Sequence, residues 1–142
     1  MKNLILMVLA VSILVLGGCG KKGESNPEAE TAAIECSQAW LALLDAGKYA
    51  ESWDEAAEIL QTAVGKEDLS KSLLAARNPF GKMVSREIKS QQYTTSVPGA
   101  PSGQYVIIQY NTSFENEKSA VETITPMLDK DSKWRVSGYY IK

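Results

Sequence analysis

The sequence predicts an α+β fold, with N-terminal helices packed on one face of a curved, roughly four-stranded antiparallel sheet. Apolar residues up to residue 77 recur at the three- and four-residue spacing of amphipathic helices. From residue 82 onward they alternate at the two-residue spacing of strands, in segments separated by short turns. Successive strands joined by short turns favour an antiparallel meander.

The first helix is predicted to begin after Asn26. Asparagine is a favoured N-cap, and Pro27 suits the first helical position because its missing N–H has no helical partner there. Gly47 ends the helix, and Asp45 is assigned to a local cap in the turn that follows. The apolar stripe of this helix consists of Ala33, Cys36 or Ser37, Trp40 and Leu44, and it is widened by Leu41 and Leu43.

Two further helices are predicted before the strands. The second begins near Tyr49 and continues until Gly65 breaks it; its apolar residues are Trp53, Ala56, Ala57 and Leu60. The third covers about 66–77 and must end by Asn78, because the following Pro79 disfavours helical geometry in the residue before it.

Four strands are predicted, over about 82–97, 104–114, 118–128 and 134–142. The turn between the first two is the proline- and glycine-rich segment PGAPSG. Pro126 cannot donate a ladder hydrogen bond, so it should lie at a strand end or on a bulge. Gly138, in the middle of the last strand, indicates a second bulge or a close approach of a side chain.

The N-terminus is typical of an exported protein. Lys2 precedes an apolar run over 4–16, and these 13 residues are fewer than the roughly 20 needed to span a bilayer. The run ends in Leu16-Gly17-Gly18-Cys19, which resembles the bacterial lipobox, in which the cysteine is acylated and becomes the mature N-terminus. An uncleaved anchor helix is the alternative, but Gly20 and the following lysines do not continue an apolar span.

The predicted organisation is a cleaved lipoprotein signal peptide (1–18), a lipidated tether (19–25) and a single domain (26–142). Several acyl chains on Cys19 would keep the protein on its membrane, since each buried methylene contributes about 0.8 kcal/mol. In Gram-negative lipoproteins, aspartate after the cysteine directs retention at the inner membrane. Because that position is Gly20, the expected location in such a cell is the outer membrane, facing the periplasm.

Composition excludes several classes of function. The chain has no histidine, which removes Ser-His-Asp and Cys-His catalysis and the common zinc ligand sets. With Cys19 acylated, Cys36 is the one remaining thiol; its apolar stripe predicts a buried, unreactive side chain. Removing 1–18 leaves 14 basic and 17 acidic residues without a basic stripe, so no nucleic acid is expected. No metal or cofactor is predicted.

Three charged residues are candidates for a polar site on the concave face of the sheet: Arg77, Arg86 and Glu122. Arg86 shares strand parity with Val84 and Ile88, and Glu122 shares it with Ile124 and Leu128. If those apolar residues face the helices, both charges point inward and must be paired. A structural Arg86–Glu122 pair and a functional polar site with Arg77 as third member both remain open.

Four sequence blocks carry a resemblance to a known family: AWLALLDAGKYAESW (39–53), RNPFGKMVSRE (77–87), PGAPSGQYVIIQYNTSF (98–114) and VETITPMLDKDSKWRVSGYYIK (121–142). They resemble, in order, the uncharacterised bacterial family catalogued as domain of unknown function 4019. The resemblance implies an exported or lipid-anchored protein without an assigned activity. The order of helices and strands is also similar to cystatin-like and nuclear-transport-factor-2-like cones, an analogy that carries no function.

Two functions from different classes fit the sequence. One is a non-enzymatic envelope module that binds another envelope protein or a small ligand in the concave face. The other is a cone-fold enzyme, resembling isomerases and dehydratases, that uses Glu122 as a base with Tyr105, Tyr110 or Tyr139 as a donor. An open, deep concave face favours the enzyme, whereas a filled one favours the module. The sequence predicts no oligomeric state.

Overall fold

The computed structural model describes residues 24–142; the predicted signal peptide (1–18), Cys19 and most of the tether lie outside the described residues. Helices precede an antiparallel sheet, so the predicted α+β class is confirmed. The elements are α1 (Pro27–Asp45), α2 (Tyr49–Asp54), α3 (Glu58–Ala63), α4 (Lys66–Arg77), a 3₁₀ turn (Asn78–Phe80), β1 (Met83–Thr94), β2 (Tyr105–Phe114), β3 (Ala120–Leu128) and β4 (Trp134–Ile141).

The boundaries of α1 follow from its capping residues. Asn26 Oδ1 accepts a hydrogen bond from the backbone N–H of Ala29 at 3.1 Å, and Pro27 occupies the first helical position. After the helix, Gly47 adopts a φ of 74°, a left-handed geometry that glycine reaches without the steric cost of a Cβ. The predicted cap and the predicted glycine stop are both confirmed.

The prediction of one helix from Tyr49 to Gly65 is wrong, because the structure has two. Ala56 and Ala57 leave the helical path between α2 and α3 and run beside β4. The backbone N–H of Ala57 donates to the carbonyl of Val136 at 2.9 Å. The Ala57 N–H therefore bonds to a distant strand instead of to a carbonyl of its own helix. The apolar spacing of the buried Ala56 and Ala57, taken alone, predicts that the helix continues through them.

The strands form one sheet in the order β1-β2-β3-β4, all antiparallel, as the meander predicts. The register of β3 and β4 shifts between Thr125, which pairs with Gly138, and Pro126, which pairs with Val136. Ser137 is the extra residue, and its Oγ donates to the Thr125 carbonyl at 2.6 Å. The bulge predicted at Pro126 is therefore confirmed, and Gly138 adjoins this same bulge rather than a second one.

Strand β1 contains two more register shifts, after Met83 and after Ile88, and the first one makes the predicted parity wrong for Val84. Met83, not Val84, pairs with the inward-facing Phe114, and Val84 is 65% exposed. Ile88 does share the inner side with Arg86, but it is 41% exposed because β1 is an edge strand.

The hydrophobic core lies between α1 and the concave face of the sheet. Its members between α1 and the sheet include Trp40, Leu41, Leu44, Ile108, Tyr110, Ile124 and Val136. Near the start of α1, Glu30 accepts a hydrogen bond from Gln91 at 3.3 Å, and at its end Asp45 binds Arg86. The helix therefore runs from the β1–β2 turn towards the β2–β3 turn, over roughly 28 Å.

Candidate functional site

Four charged side chains meet at the C-terminal end of α1, between the helices and the sheet. This charge cluster consists of Asp45 at the end of α1, Arg77 at the end of α4, Arg86 of β1 and Glu122 of β3. The exposed fractions of their side chains are 20%, 4%, 11% and 0%. With both acids ionised the cluster is neutral, and a neutral buried set avoids the free-energy cost of an unpaired charge.

Glu122 is the most enclosed member of the charge cluster. Its Oε1 accepts hydrogen bonds from Arg86 Nε at 2.7 Å and from Thr112 Oγ1 at 2.6 Å. Its Oε2 accepts from the hydroxyl of Tyr139 at 2.5 Å and lies 4.0 Å from Arg77 Nη1. Thr112 comes from β2 and Tyr139 from β4, the two neighbours of β3, whereas Arg86 reaches Glu122 from β1 across β2. The sheet register therefore positions all three donors.

Asp45 joins the two arginines. Its Oδ1 accepts from Arg77 Nη2 at 2.8 Å and Arg86 Nη2 at 3.0 Å, and its Oδ2 accepts from Arg86 Nη1 at 2.7 Å. The contact with Arg86 is thus bidentate, the stronger geometry for a guanidinium and a carboxylate. Partial burial alone would raise the pKa of Asp45, but the hydrogen bonds from Arg86 and Arg77 outweigh it and hold this pKa below its usual value.

Arg77 is buried but only partly hydrogen-bonded. Within the described chain, its Nε and Nη1 are buried and have no hydrogen-bond acceptor. Its guanidinium carbon lies 4.9 Å from the centroid of the Phe114 ring, a distance suited to a cation–π contact. Asp45 and Phe114 therefore hold Arg77 more directly than Glu122 does.

The structure brings Arg77, Arg86 and Glu122 together, and the expected Arg86–Glu122 ion pair is present at 2.7 Å. The assignment of Asp45 to a local cap is wrong, because its carboxylate binds two arginines from distant segments. A sequence signal for this was available: Asp45 lies four residues after the buried Leu41 and therefore on the same side of α1.

Thr112 is a further cluster contact that strand parity could have identified, whereas Tyr139 is not, because the bulge at Ser137 puts it on the same face as Val136 three residues earlier. Thr112 lies two residues from each of the buried Tyr110 and Phe114 along β2, and parity therefore places it with them on the inner face. Sequence analysis did not single out Thr112, because a threonine in a strand is ordinarily neutral with respect to burial.

Of the three tyrosines considered as donors to Glu122, only Tyr139 reaches it. The hydroxyl of Tyr110 lies 2.6 Å from Ser37 Oγ, and that of Tyr105 donates to the carbonyl of Pro101 at 2.7 Å. Burial, followed by the negative charge of Glu122, holds the pKa of Tyr139 well above its ordinary value. Tyr139 therefore remains a protonated donor at neutral pH.

The concave face beside the charge cluster is filled rather than open. Trp40 is 2% exposed, and its ring lies 5.5 Å from that of Tyr139. Glu122 has no accessible surface through which a substrate proton could reach it. Three donors, from Arg86, Thr112 and Tyr139, already bind its two oxygens. Chemically, this arrangement joins helices to sheet and presents no free acid or base.

Cys36 is half-buried, so the prediction of a buried side chain is only partly correct. Its Sγ donates to the carbonyl of Trp134 at 3.3 Å. Burial raises the pKa of this thiol to about 11, and the nearby positive charge of Arg135 only partly counters the rise. Few molecules carry the reactive thiolate at neutral pH.

Two further features bear on function. Within residues 24–142, no three or more His, Cys, Asp or Glu side chains are grouped so that they could hold a metal ion. In that same part of the chain, every helix is too short or too polar to cross a bilayer.

The sequence matches a known family model. The family model described as "Protein of unknown function (DUF4019)" matches residues 36–139, a span that contains the whole charge cluster. A search of curated proteins finds no match to the chain.

Proposed function

Because the chain belongs to the DUF4019 family, which brings no activity with it, we propose a function from its own residues. The protein is a lipid-anchored component of the bacterial envelope and acts as a non-enzymatic binding module. The observation that carries this proposal is the sequence Leu16-Gly17-Gly18-Cys19 at the end of a 13-residue apolar run.

The distance from Cys19 to the fold limits how far the anchored domain can lie from the membrane. The described domain begins its first helix at Pro27, so residues 20–26 separate it from the acylated cysteine. Seven extended residues span at most roughly 25 Å. The domain is therefore held close to the membrane, with the start of α1 and the β1–β2 turn nearest to the tether and the charge cluster at the far end.

The enclosure of Glu122 supports the non-enzymatic part. A general base must come within hydrogen-bonding distance of the proton that it removes, whereas Glu122 is fully buried and bound by three donors. The cone-fold isomerase or dehydratase that the sequence left open needs this carboxylate at the wall of an accessible pocket. A binding module needs only a stable fold and an exposed surface.

The anchoring part is tested by metabolic labelling with a radiolabelled fatty acid. We expect the parent protein to incorporate the label and to sediment with membranes, whereas Cys19→Ser should take up no label and accumulate as an unprocessed precursor. Cys36→Ser is the matched control, because it removes the other cysteine and should be labelled like the parent. Labelling of Cys19→Ser at the level of the parent would show that the anchor assignment is wrong.

The expected address is the outer membrane if the cell is Gram-negative. Density-gradient separation of the two membranes tests it, with Gly20→Asp as the comparison. The parent should fractionate with the outer membrane and Gly20→Asp with the inner membrane, because the residue after the acylated cysteine is the one proposed to direct sorting. Recovery of the parent in the inner membrane would contradict the address while leaving acylation intact.

A further inference from the structure

A polar groove of about 390 Å³ lies across the first three strands, at the end of the domain far from the tether. Arg86 and Thr112 point to the inner face, and their neighbours along β1 and β2, which make up much of the lining, therefore point to the opposite face. The groove is on the outer face of the sheet. Besides Arg86 and Thr112, its polar lining consists of Ser85, Glu87, Asn111, Ser113, Lys118 and Ser119. The volume falls within the range of small-ligand sites.

Two opposite charges face this groove from its two sides. Glu87 comes from β1, and Lys118 comes from the β2–β3 turn; both are exposed. Within the described part of the chain neither forms an ion pair, with the other or with a third residue. Between them lie the amide of Asn111 and the hydroxyl of Ser113, which can both donate and accept hydrogen bonds.

The spacing of the charges sets the size of a complementary ligand. Two strand spacings of about 4.8 Å separate β1 from β3, and Lys118 lies three residues before Val121, the β3 residue level with Glu87, so the backbones of Glu87 and Lys118 are on the order of 14 Å apart. Both side chains are exposed and extend away from the backbone, so an extended peptide of about three residues, roughly 10 Å long, can bridge their charged groups. The lining contains no aromatic ring for a sugar to stack on, and its second cation, Arg86, is already bonded to Asp45 and Glu122 and is not free for a phosphate, so a peptide fits it better.

The charge cluster keeps the floor of the groove in register. Arg86, whose backbone forms part of the floor, binds Asp45 and Glu122 on the opposite face of the sheet. Glu87 and Asn111 are a cross-strand pair within this fixed register. The groove is thus prepared before a ligand arrives, which lowers the entropic cost of binding.

We propose that this groove binds a short zwitterionic peptide, with its carboxylate towards Lys118 and its ammonium towards Glu87. The inference deepens the proposed binding function and rests on it, by naming a ligand class and a surface. The test does not depend on the anchor: a failure of fatty-acid labelling at Cys19 would leave the groove untouched, and a failure of peptide binding would leave the anchor untouched.

The experiment is a titration of trialanine into the ¹⁵N-labelled full-length protein in detergent micelles, followed through backbone amide signals. We expect saturable shifts confined to the lining residues of the groove, at millimolar concentrations because its two charge contacts are solvent-exposed. Glu87→Gln and Lys118→Gln should each weaken binding about fivefold. Lys89→Gln is the matched control, since it neutralises an exposed charge of β1 outside the groove and should leave the affinity unchanged.

Blocking the peptide separates charge recognition from non-specific contact. Acetylated, amidated trialanine lacks both terminal charges and should bind at least tenfold more weakly than the free peptide. Equal binding of the blocked and free peptides, shifts scattered over the whole domain, or no shifts at 20-fold excess over the expected millimolar range would each overturn the proposal.

Discussion

Breaking the Arg86–Glu122 pair should cost a large part of the stability of the domain. Glu122→Gln keeps the shape of the side chain but leaves the charge cluster with one excess positive charge. Arg86→Met leaves one excess negative charge. Removal of one partner from a buried ion pair costs about 3–5 kcal/mol. Because Arg86 is 11% exposed and keeps water access at one side, we expect about 3 kcal/mol for each single substitution.

The double variant should be far less damaging than the two single costs suggest. When Arg86→Met and Glu122→Gln are combined, the charges left in the cluster are those of Asp45 and Arg77, which form a neutral pair at 2.8 Å. The amide introduced by Glu122→Gln can still bond with Thr112 and Tyr139. We therefore expect a total loss of about 4 kcal/mol in the free energy of unfolding, and so a coupling energy of about 2 kcal/mol.

Urea unfolding of a soluble form beginning at Ser25, followed by tryptophan fluorescence, measures all four corners of this cycle. The exposed Lys66–Asp54 pair, at 2.8 Å with both side chains nearly half exposed, is the matched control, and its coupling should stay below about 1 kcal/mol. If each cluster substitution costs less than about 1 kcal/mol, or the coupling of Arg86 and Glu122 equals that of the surface pair, the buried arrangement described above is wrong.

The other predictions concern a thiol and an acid. Cys36 should react with a polar thiol reagent at pH 8 only slowly until urea unfolds the domain, because burial raises its pKa to about 11; rapid stoichiometric labelling of the native protein would contradict this. Asp45 has a lower pKa in the folded state than in the unfolded chain, so its contribution is present above the unfolded pKa and is lost as pH falls through the folded pKa. The free energy of unfolding should therefore decline below about pH 4, and Asp45→Asn should flatten that decline more than a neutral substitution at an exposed acid such as Glu28; equal slopes in the two variants would refute the assignment.

Regular periodicity made most of the fold predictable. The α4 boundaries and the order of the four strands follow from apolar spacing, Pro79 and short turns, which are all local signals. The break at Ala56 and Ala57 was not predictable in this way, since its cause is a hydrogen bond to Val136, 79 positions further along the chain. A local apolar pattern cannot show that a distant strand will accept a backbone hydrogen bond that the helix would otherwise use.

The charge cluster was partly predictable for a related reason. Parity on β3 correctly placed Glu122 on the inner face, because β3 is regular around that residue. Parity on β1 gave the right side for Arg86 but the wrong one for Val84, since a bulge changes the face of every residue beyond it. The role of Asp45 was not predicted, because an acid at a turn can either cap the local backbone or bind a distant cation. Only the tertiary structure shows that Arg77 and Arg86 reach it.

The charge cluster lies where β1 has too few buried apolar side chains to hold it against the rest of the fold. As an edge strand with a mostly exposed burial pattern, β1 contributes few apolar side chains to the core, and two bulges interrupt its ladder with β2. Hydrophobic burial is non-directional and would tolerate a slip of such a strand. Arg86 instead makes three directed bonds to Asp45 of α1 and to Glu122 of β3, which lies on the far side of β2. A one-residue slip would turn Arg86 to the outer face and leave both acids in the interior with one cation fewer. The cluster therefore fixes the register of the strand that forms one side of the groove, where apolar packing alone is too sparse to do so.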